Sequence, residues 1–159
     1  MLSITVIAVG KIKEKYFTDA IGEYSKRLSR YCKLNITEVK DEPTPDNPSD
    51  KERDAVLLKE GERILEKLPK NAFVISLCIE GKAQSSTQFS NLISSASNTH
   101  SEIVFIIGGS MGLCDEVKRR ADYKLSFSEM TFPHQLMRVI LLEQIYRAFN
   151  ISGGGKYHK

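Results

Sequence analysis

Cysteine is scarce in this chain of 159 residues: Cys32, Cys78 and Cys114 are odd in number, far apart, and form no C-x-x-C pair. Such spacing speaks against a disulfide framework or a thiolate metal site and predicts three reduced thiols in a cytoplasmic protein. Long apolar runs are missing too, since no stretch approaches the ~20 residues that a membrane-crossing helix needs. The apolar opening "LSITVIAVG" lacks a preceding basic segment and a small-residue cleavage site, so it reads as a strand rather than a signal peptide. Neither sign of charge dominates. The net charge is +3, with 41% hydrophobic and 27% charged residues, an ordinary soluble balance that permits a polyanionic partner without demanding one. Repeats and low-complexity tracts are absent, and no composition shift marks a boundary. The expectation is one domain over residues 1–159, large enough to bury about two thirds of its unfolded surface.

What is present alternates between strand and helix signals. Leu2 to Val9 is rich in β-branched residues and stops at Gly10, a first strand. Phe17, Ile21, Tyr24, Leu28 and Tyr31 follow at helical spacing, and "LNITEV" (Leu34 to Val39) alternates as a half-exposed second strand. "DEPTPDNPSD" holds three of the five prolines and reads as a loop. Ser49 with Glu52 forms a capping box that opens a helix carrying Ala55, Leu58, Leu65 and Leu68. "AFVISLCI" (Ala72 to Ile79) is continuously apolar, as a central parallel strand should be. Ser85 with Gln88 caps a helix bearing Phe89, Leu92, Ile93 and Ala96, and "IVFII" (Ile103 to Ile107) is a second buried strand. A short helix over Glu116 to Ala121, a brief strand over Lys124 to Phe127 and a final helix from Pro133 to Phe149 complete the pattern. The fold class is therefore α/β, a mostly parallel sheet with helices on both faces.

"IIGGSMG" leaves a buried strand and enters a helix, where α/β proteins place ligands. Gly108, Gly109 and Gly112 let backbone amides approach a small molecule, or simply make a tight turn. The stretch is neither a G-x-G-x-x-G fingerprint nor a Walker loop. Gly108, Ser110 and Gly112 do spell the G-x-S-x-G of a serine hydrolase elbow, and Asp122 followed by His134 or His158 gives the right chain order for its partners. Against this small serine hydrolase, the chain is short and no H-G-G-G oxyanion loop lies upstream.

The final helix carries apolar residues around nearly its whole circumference, from Leu136 and Met137 to Ala148 and Phe149, so it predicts burial on all sides. Either it runs through the middle of the fold or one side meets another subunit. Arg138, Glu143 and Arg147 on that cylinder need partners or a ligand, and a buried ion pair of Arg138 with Glu143 is the plain reading. Beyond it, "ISGGGKYHK" hangs Tyr157, His158 and two lysines from three glycines. Four residues past that hinge cannot build a core, though they can reach a site, or fray as chain ends do.

Together, "IVFIIGGSMGL", "LSFSEMTFPHQLMRVILLEQIYRAF", the terminal "YHK", the opening "ITVIAVGKIK" and "ISLCIEGK" resemble, over the full length, the SPOUT-class methyltransferases that act on pseudouridine of large-subunit rRNA. The resemblance implies a deep trefoil knot near the C-terminus, a homodimer and S-adenosylmethionine as cofactor. It implies cofactor-binding loops at Leu77, at Gly108 and Gly109, and over Phe127, Ser128, Glu129, Met130, Thr131 and Phe132. The implied reaction is methyl transfer to N3 of a pseudouridine in 23S rRNA, within the large subunit or whole ribosome, without metal or membrane. An imide N–H must lose its proton to become a nucleophile, which calls for a base or for cations beside the carbonyls. His134, His158 and Arg138 are the candidates, with Tyr157 available to stack on a base. Each also has a plainer reading: His134 as a capping residue, His158 as a phosphate contact, and Arg138 as an ion pair.

Overall fold

The computed structural model describes residues 1–159. The chain runs β1 (Ser3–Val9), α1 (Lys15–Leu28), β2 (Lys33–Val39), α2 (Asp50–Lys67), β3 (Phe73–Ala83), α3 (Ser86–Thr99), β4 (Glu102–Ile107), α4 (Asp115–Arg120), β5 (Tyr123–Ser126) and α5 (His134–Ser152). The strands form one sheet in the order β2-β1-β4-β3-β5, with every pairing parallel. Steps toward the β2 edge carry α1 and α3 over one face, and steps away from it carry α2 and α4 over the other, as a single handedness of crossover requires.

Two cores follow from this layering. On one face Ile4, Val6, Phe105 and Ile75 meet Leu28, Phe89 and Ile93, together with Leu141, Leu142 and Ile145 of α5. On the other, Ile7, Val104 and Ile106 meet Ile64 of α2 and Val117 of α4. β1 and β4 are covered on both faces, which is why their sequences are continuously apolar. β2 forms the half-exposed edge that its alternation predicts. Both capping boxes are formed: Ser49 with Glu52 opens α2, and Ser85 with Gln88 opens α3.

Three local expectations are corrected. α2 buries Val56, Glu60, Gly61 and Ile64, and Leu65 and Leu68 pack half-buried against the same core, whereas Ala55 and Leu58 face solvent, so only the carboxyl half of the expected stripe marks the inner face. The first helix ends at Leu28, leaving Tyr31 in the following turn, where its ring stacks on Phe149 with centroids 5.4 Å apart. β3 does not stop at Ile79. Leu77 and Lys82 both face Leu125 of β5, so Cys78 to Gly81 leave the ladder as a bulge before pairing resumes. Gly81 is required at its base, because a Cβ there would stand 2.8 Å from the Leu125 backbone.

α5 is longer than expected, running to Ser152, and Pro133 sits at its N-cap. It packs against α1, α3 and the sheet, and none of its residues from His134 to Asn150 is fully exposed. An apolar circumference is thus explained in part by a central position in the fold.

Candidate functional site

The β3 bulge, the loop after β4 and the loop after β5 converge at the carboxyl ends of three neighbouring strands. They enclose a crevice of about 730 Å³, within the usual range for a small-molecule site. Leu77, Gly108, Gly109, Phe127, Ser128, Met130, Thr131 and Phe132 all line it, and Glu129 alone of the expected cofactor segment does not. Ile107, Leu125, Phe132 and Met137 supply apolar wall, and the glycine loop, Ser128, Thr131 and His134 supply the polar groups between them. The β4 loop closes on itself: Gly112 N–H donates to the Gly109 carbonyl at 3.1 Å, and Gly112 adopts φ +88°, open to glycine at little cost.

Cys78, Ile79 and Glu80 of the bulge continue the loop expected at Leu77, whereas Arg53 from α2 and Lys118 from α4 line the crevice without any sign in the sequence. Glu80 forms an ion pair with Lys118 that holds its carboxyl below the usual range and raises the lysine. Burial, with Glu80 nearby, pushes the Cys78 thiol up, so it is a lining group rather than an activated nucleophile. The signal that could have found this wall is Gly81 interrupting an otherwise strand-like run. Behind the β4 loop lies a buried carboxyl, Glu60, about 3.4 Å from where a Gly109 Cβ would be. It accepts from Glu42 N–H at 2.9 Å, and burial raises its pKa.

The start of α5 supplies His134 and Met137 to the crevice. Burial first, and the Arg138 guanidinium second, hold His134 below the ordinary histidine value, which keeps it a neutral acceptor near pH 7. Arg138 itself turns away from the crevice and is 2% exposed. Its Nη1 donates to Glu38 at 2.6 Å and its Nη2 to the Gly10 carbonyl at 2.8 Å, while Nε has no partner. The ion pair expected of Arg138 is therefore real, but its carboxylate is Glu38 from β2 rather than Glu143.

Glu143 belongs to a separate cluster on the carboxyl half of α5. Arg147 meets its Oε1 through Nε at 3.0 Å and Nη2 at 2.5 Å, and the Tyr157 hydroxyl donates to the same oxygen at 3.1 Å. Arg147 Nη1 stands 3.1 Å from His158 Nδ1. A guanidinium can only donate, so Nδ1 accepts and the imidazole proton of this neutral form is on Nε2. The tail is therefore folded back, with the Tyr157 ring edge-on to Tyr146 and 4.7 Å from the Arg147 carbon. Thirteen residues separate His134 from Arg147, roughly 20 Å along the helix axis. His134 lines the crevice; Arg138, Tyr157 and His158 do not.

The hydrolase geometry fails. Ser110 is exposed in the β4 turn and α4 begins only at Asp115, so the serine does not open a helix as an elbow requires. Asp122 precedes β5 at the opposite end of the sheet, where its Oδ2 accepts from Val74 N–H at 2.8 Å. No group of three or more His, Cys, Asp or Glu side chains is placed to hold a metal ion.

Parallel strands, a loop-built crevice at their carboxyl ends and a helix returning across one face define an α/β protein of the class that places its ligand site beyond the ends of its strands. The family described as "Predicted SPOUT methyltransferase" matches residues 2–158, and the chain belongs to it. It is 59% identical over 159 residues to the ribosomal RNA large subunit methyltransferase H of Clostridium botulinum (strain Okra / Type B1), covering 99% of this chain and 100% of that protein. Identity to the protein of the same name from Clostridium kluyveri (strain NBRC 12016) is 55%, over the same shares of the two chains. Among solved structures, "a probable methylase family protein from Haemophilus influenzae Rd KW20" has the same fold. Its TM-score is 0.52 at 10% identity, over 95% of this chain and 66% of that one.

Proposed function

We propose that this protein transfers a methyl group from S-adenosylmethionine to N3 of a pseudouridine in 23S rRNA, on the large subunit or the assembled ribosome in the cytoplasm. The observation that carries the reading is the three-loop crevice in a chain that matches rRNA methyltransferases over its whole length. Its donor set suits the cofactor: apolar walls from Leu77, Ile107, Leu125 and Phe132 for an adenine face, and exposed glycine-loop backbone for its polar edge. Bound there, S-adenosylmethionine supplies an electrophilic sulfonium methyl that needs no activation by the protein. Residues 1–159 act as one domain, knotted through the three crossing loops as the family resemblance implies.

The chain's own task is to orient the acceptor and move the N3 proton. His134, neutral and on the crevice wall, is suited to accept it, and Arg138 holds the helix turn on which His134 stands. Tyr157 and His158 complete the RNA-facing side. Folded against their own α5 they are too far from their own crevice, which favours a homodimer in which α5 packs against its mate and each tail serves the other subunit. The half-buried apolar residues Leu136, Val139 and Ile140 would cover that contact.

The test is methyl transfer from radiolabelled S-adenosylmethionine to undermethylated ribosomes, with the product mapped by mass spectrometry. Labelling confined to a pseudouridine of 23S rRNA supports the reading. Ribosomes left unlabelled by a protein that binds the cofactor would end it.

A further inference from the structure

The segment between β1 and α1, Gly10 to Glu14, lies at the same end of the sheet as the crevice, yet the cofactor reading makes no use of it. Its backbone is pinned from three sides. Gly10 N–H donates to the Val39 carbonyl at 2.8 Å, and the Gly10 carbonyl accepts from Arg138 at 2.8 Å. Ile12 N–H donates to Glu38 at 3.2 Å, and Lys13 N–H to Gln135 of α5 at 3.4 Å. A Cβ on Gly10 would stand 3.9 Å from His134 Nε2, so the segment abuts the residue that lines the crevice.

A loop tied this firmly presents its side chains in fixed places, and the two that it exposes are both cations. Lys11 and Lys13 are exposed, and neither forms an ion pair, whereas Lys15 is matched to Asp19 at 3.1 Å. Glu14 turns inward, with Oε2 buried. Tyr16 follows on the first turn of α1, 67% exposed, its ring steadied against Phe17 with centroids 4.6 Å apart. Two unneutralised cations beside an open aromatic face make the combination that grips unpaired nucleotides: phosphates meet the ammonium groups and a splayed base stacks on the ring.

We propose that Lys11, Lys13 and Tyr16 form a lip that holds the single-stranded RNA flanking the target nucleotide, with Arg138 as the positioning residue that fixes this lip to α5. The assignment rests on the rRNA reading for the identity of the strand. Charge complementarity selects RNA over an apolar partner such as a second copy of this chain.

Binding of a fluorescent RNA hairpin with an unpaired loop, measured across a salt series, tests the lip without requiring methyl transfer. Lys11→Gln with Lys13→Gln should weaken binding about tenfold at 0.1 M salt and lower the salt slope by about 1.4, two single-strand phosphate contacts. Tyr16→Ala should weaken it about tenfold and Tyr16→Phe should restore it, since stacking needs the face and not the hydroxyl. Lys67→Gln, at the far end of the sheet, is the control and should change nothing. Unchanged binding in the lysine and Tyr16→Ala variants overturns the lip. So does a Tyr16→Ala protein that sediments as a different oligomer, because the ring then belongs to a contact between copies. If the wild type methylates no rRNA while hairpin binding still depends on these residues, the functional reading fails and the lip stands.

Discussion

Two clusters of the same three residue types, one at each end of α5, are built in opposite ways. At the amino end, His134, Arg138 and Glu38 form a set assembled across the fold: the arginine is 2% exposed, and its carboxylate lies 100 positions away in sequence. At the carboxyl end, His158, Arg147 and Glu143 form a local set. The ion pair there is a single helical turn, with its arginine 24% exposed, and the histidine arrives on a glycine hinge. Burial makes the first set costly to disturb, because a desolvated guanidinium without its partners cannot recover water. Exposure makes the second cheap to open. A rigid set beside the crevice and a releasable one far from it suit a fixed cofactor wall and a movable RNA-side tail.

Truncation should expose this difference most strongly. Deleting Tyr157 to Lys159 removes only half-buried local contacts, so the melting curve and S-adenosylmethionine affinity should stay close to wild type. Methyl transfer to ribosomes should fall about 100-fold or more, the scale of misplacing the acceptor nucleotide by about 1 Å. Full activity in the truncated protein would reduce the tail to an ordinary chain end. A mixed dimer sharpens the test: pairing a truncated subunit with one whose crevice is blocked leaves one working site if the tail acts in trans and none if it acts in cis.

Substitution of the two arginines should invert that ranking for stability. Arg138→Met leaves the Gly10 carbonyl and Glu38 without their donor and should cost about 3 kcal/mol in urea unfolding, the low end for breaking a buried pair because Glu38 is partly open to water. Arg147→Met should cost less, about 1 kcal/mol, because this half-buried pair spans a single helical turn and its arginine keeps access to water. Equal losses would mean that the two clusters are equally integral.

The same contrast explains which features could be read from the sequence. Strand and helix succession, both capping boxes and the glycine loop after β4 follow from local pattern, since turn chemistry and apolar runs are written in adjacent residues, whereas Leu77 and the segment from Phe127 to Phe132 entered the site only through the family resemblance. The partner of Arg138 is not. On a helix, neighbours are three or four positions apart, so Glu143 suits Arg147, whereas Glu38 becomes a neighbour only once β2 lies beside β1. The bulge at Cys78 to Gly81 is hinted at only by Gly81, because its shape is defined by the register of β3 against β5. On α2, Ala55 and Leu58 suggested an inner face, but the close approach of α4 at Gly61, where a Cβ would meet Cys114 Sγ at 2.3 Å, selects the face carrying Val56, Glu60 and Ile64.

The smallest effect reads the environment of the crevice histidine by pH. Burial and Arg138 depress the folded-state pKa of His134 below its unfolded value, so between those values the unfolded chain binds more protons. The stability contributed by neutral His134 is thus fully present above the unfolded value, near 6.5, and is lost as pH falls through the depressed folded value. His134→Asn removes the titration while keeping a polar side chain at the start of α5. Melting temperatures measured from pH 7.5 to pH 5 should therefore fall less steeply for His134→Asn than for wild type, with the two curves separating below about pH 6.5. Parallel curves for His134→Asn and wild type would show that the crevice histidine is as freely hydrated as an ordinary surface one. Its suitability as a neutral proton acceptor beside the cofactor would then lose its physical basis.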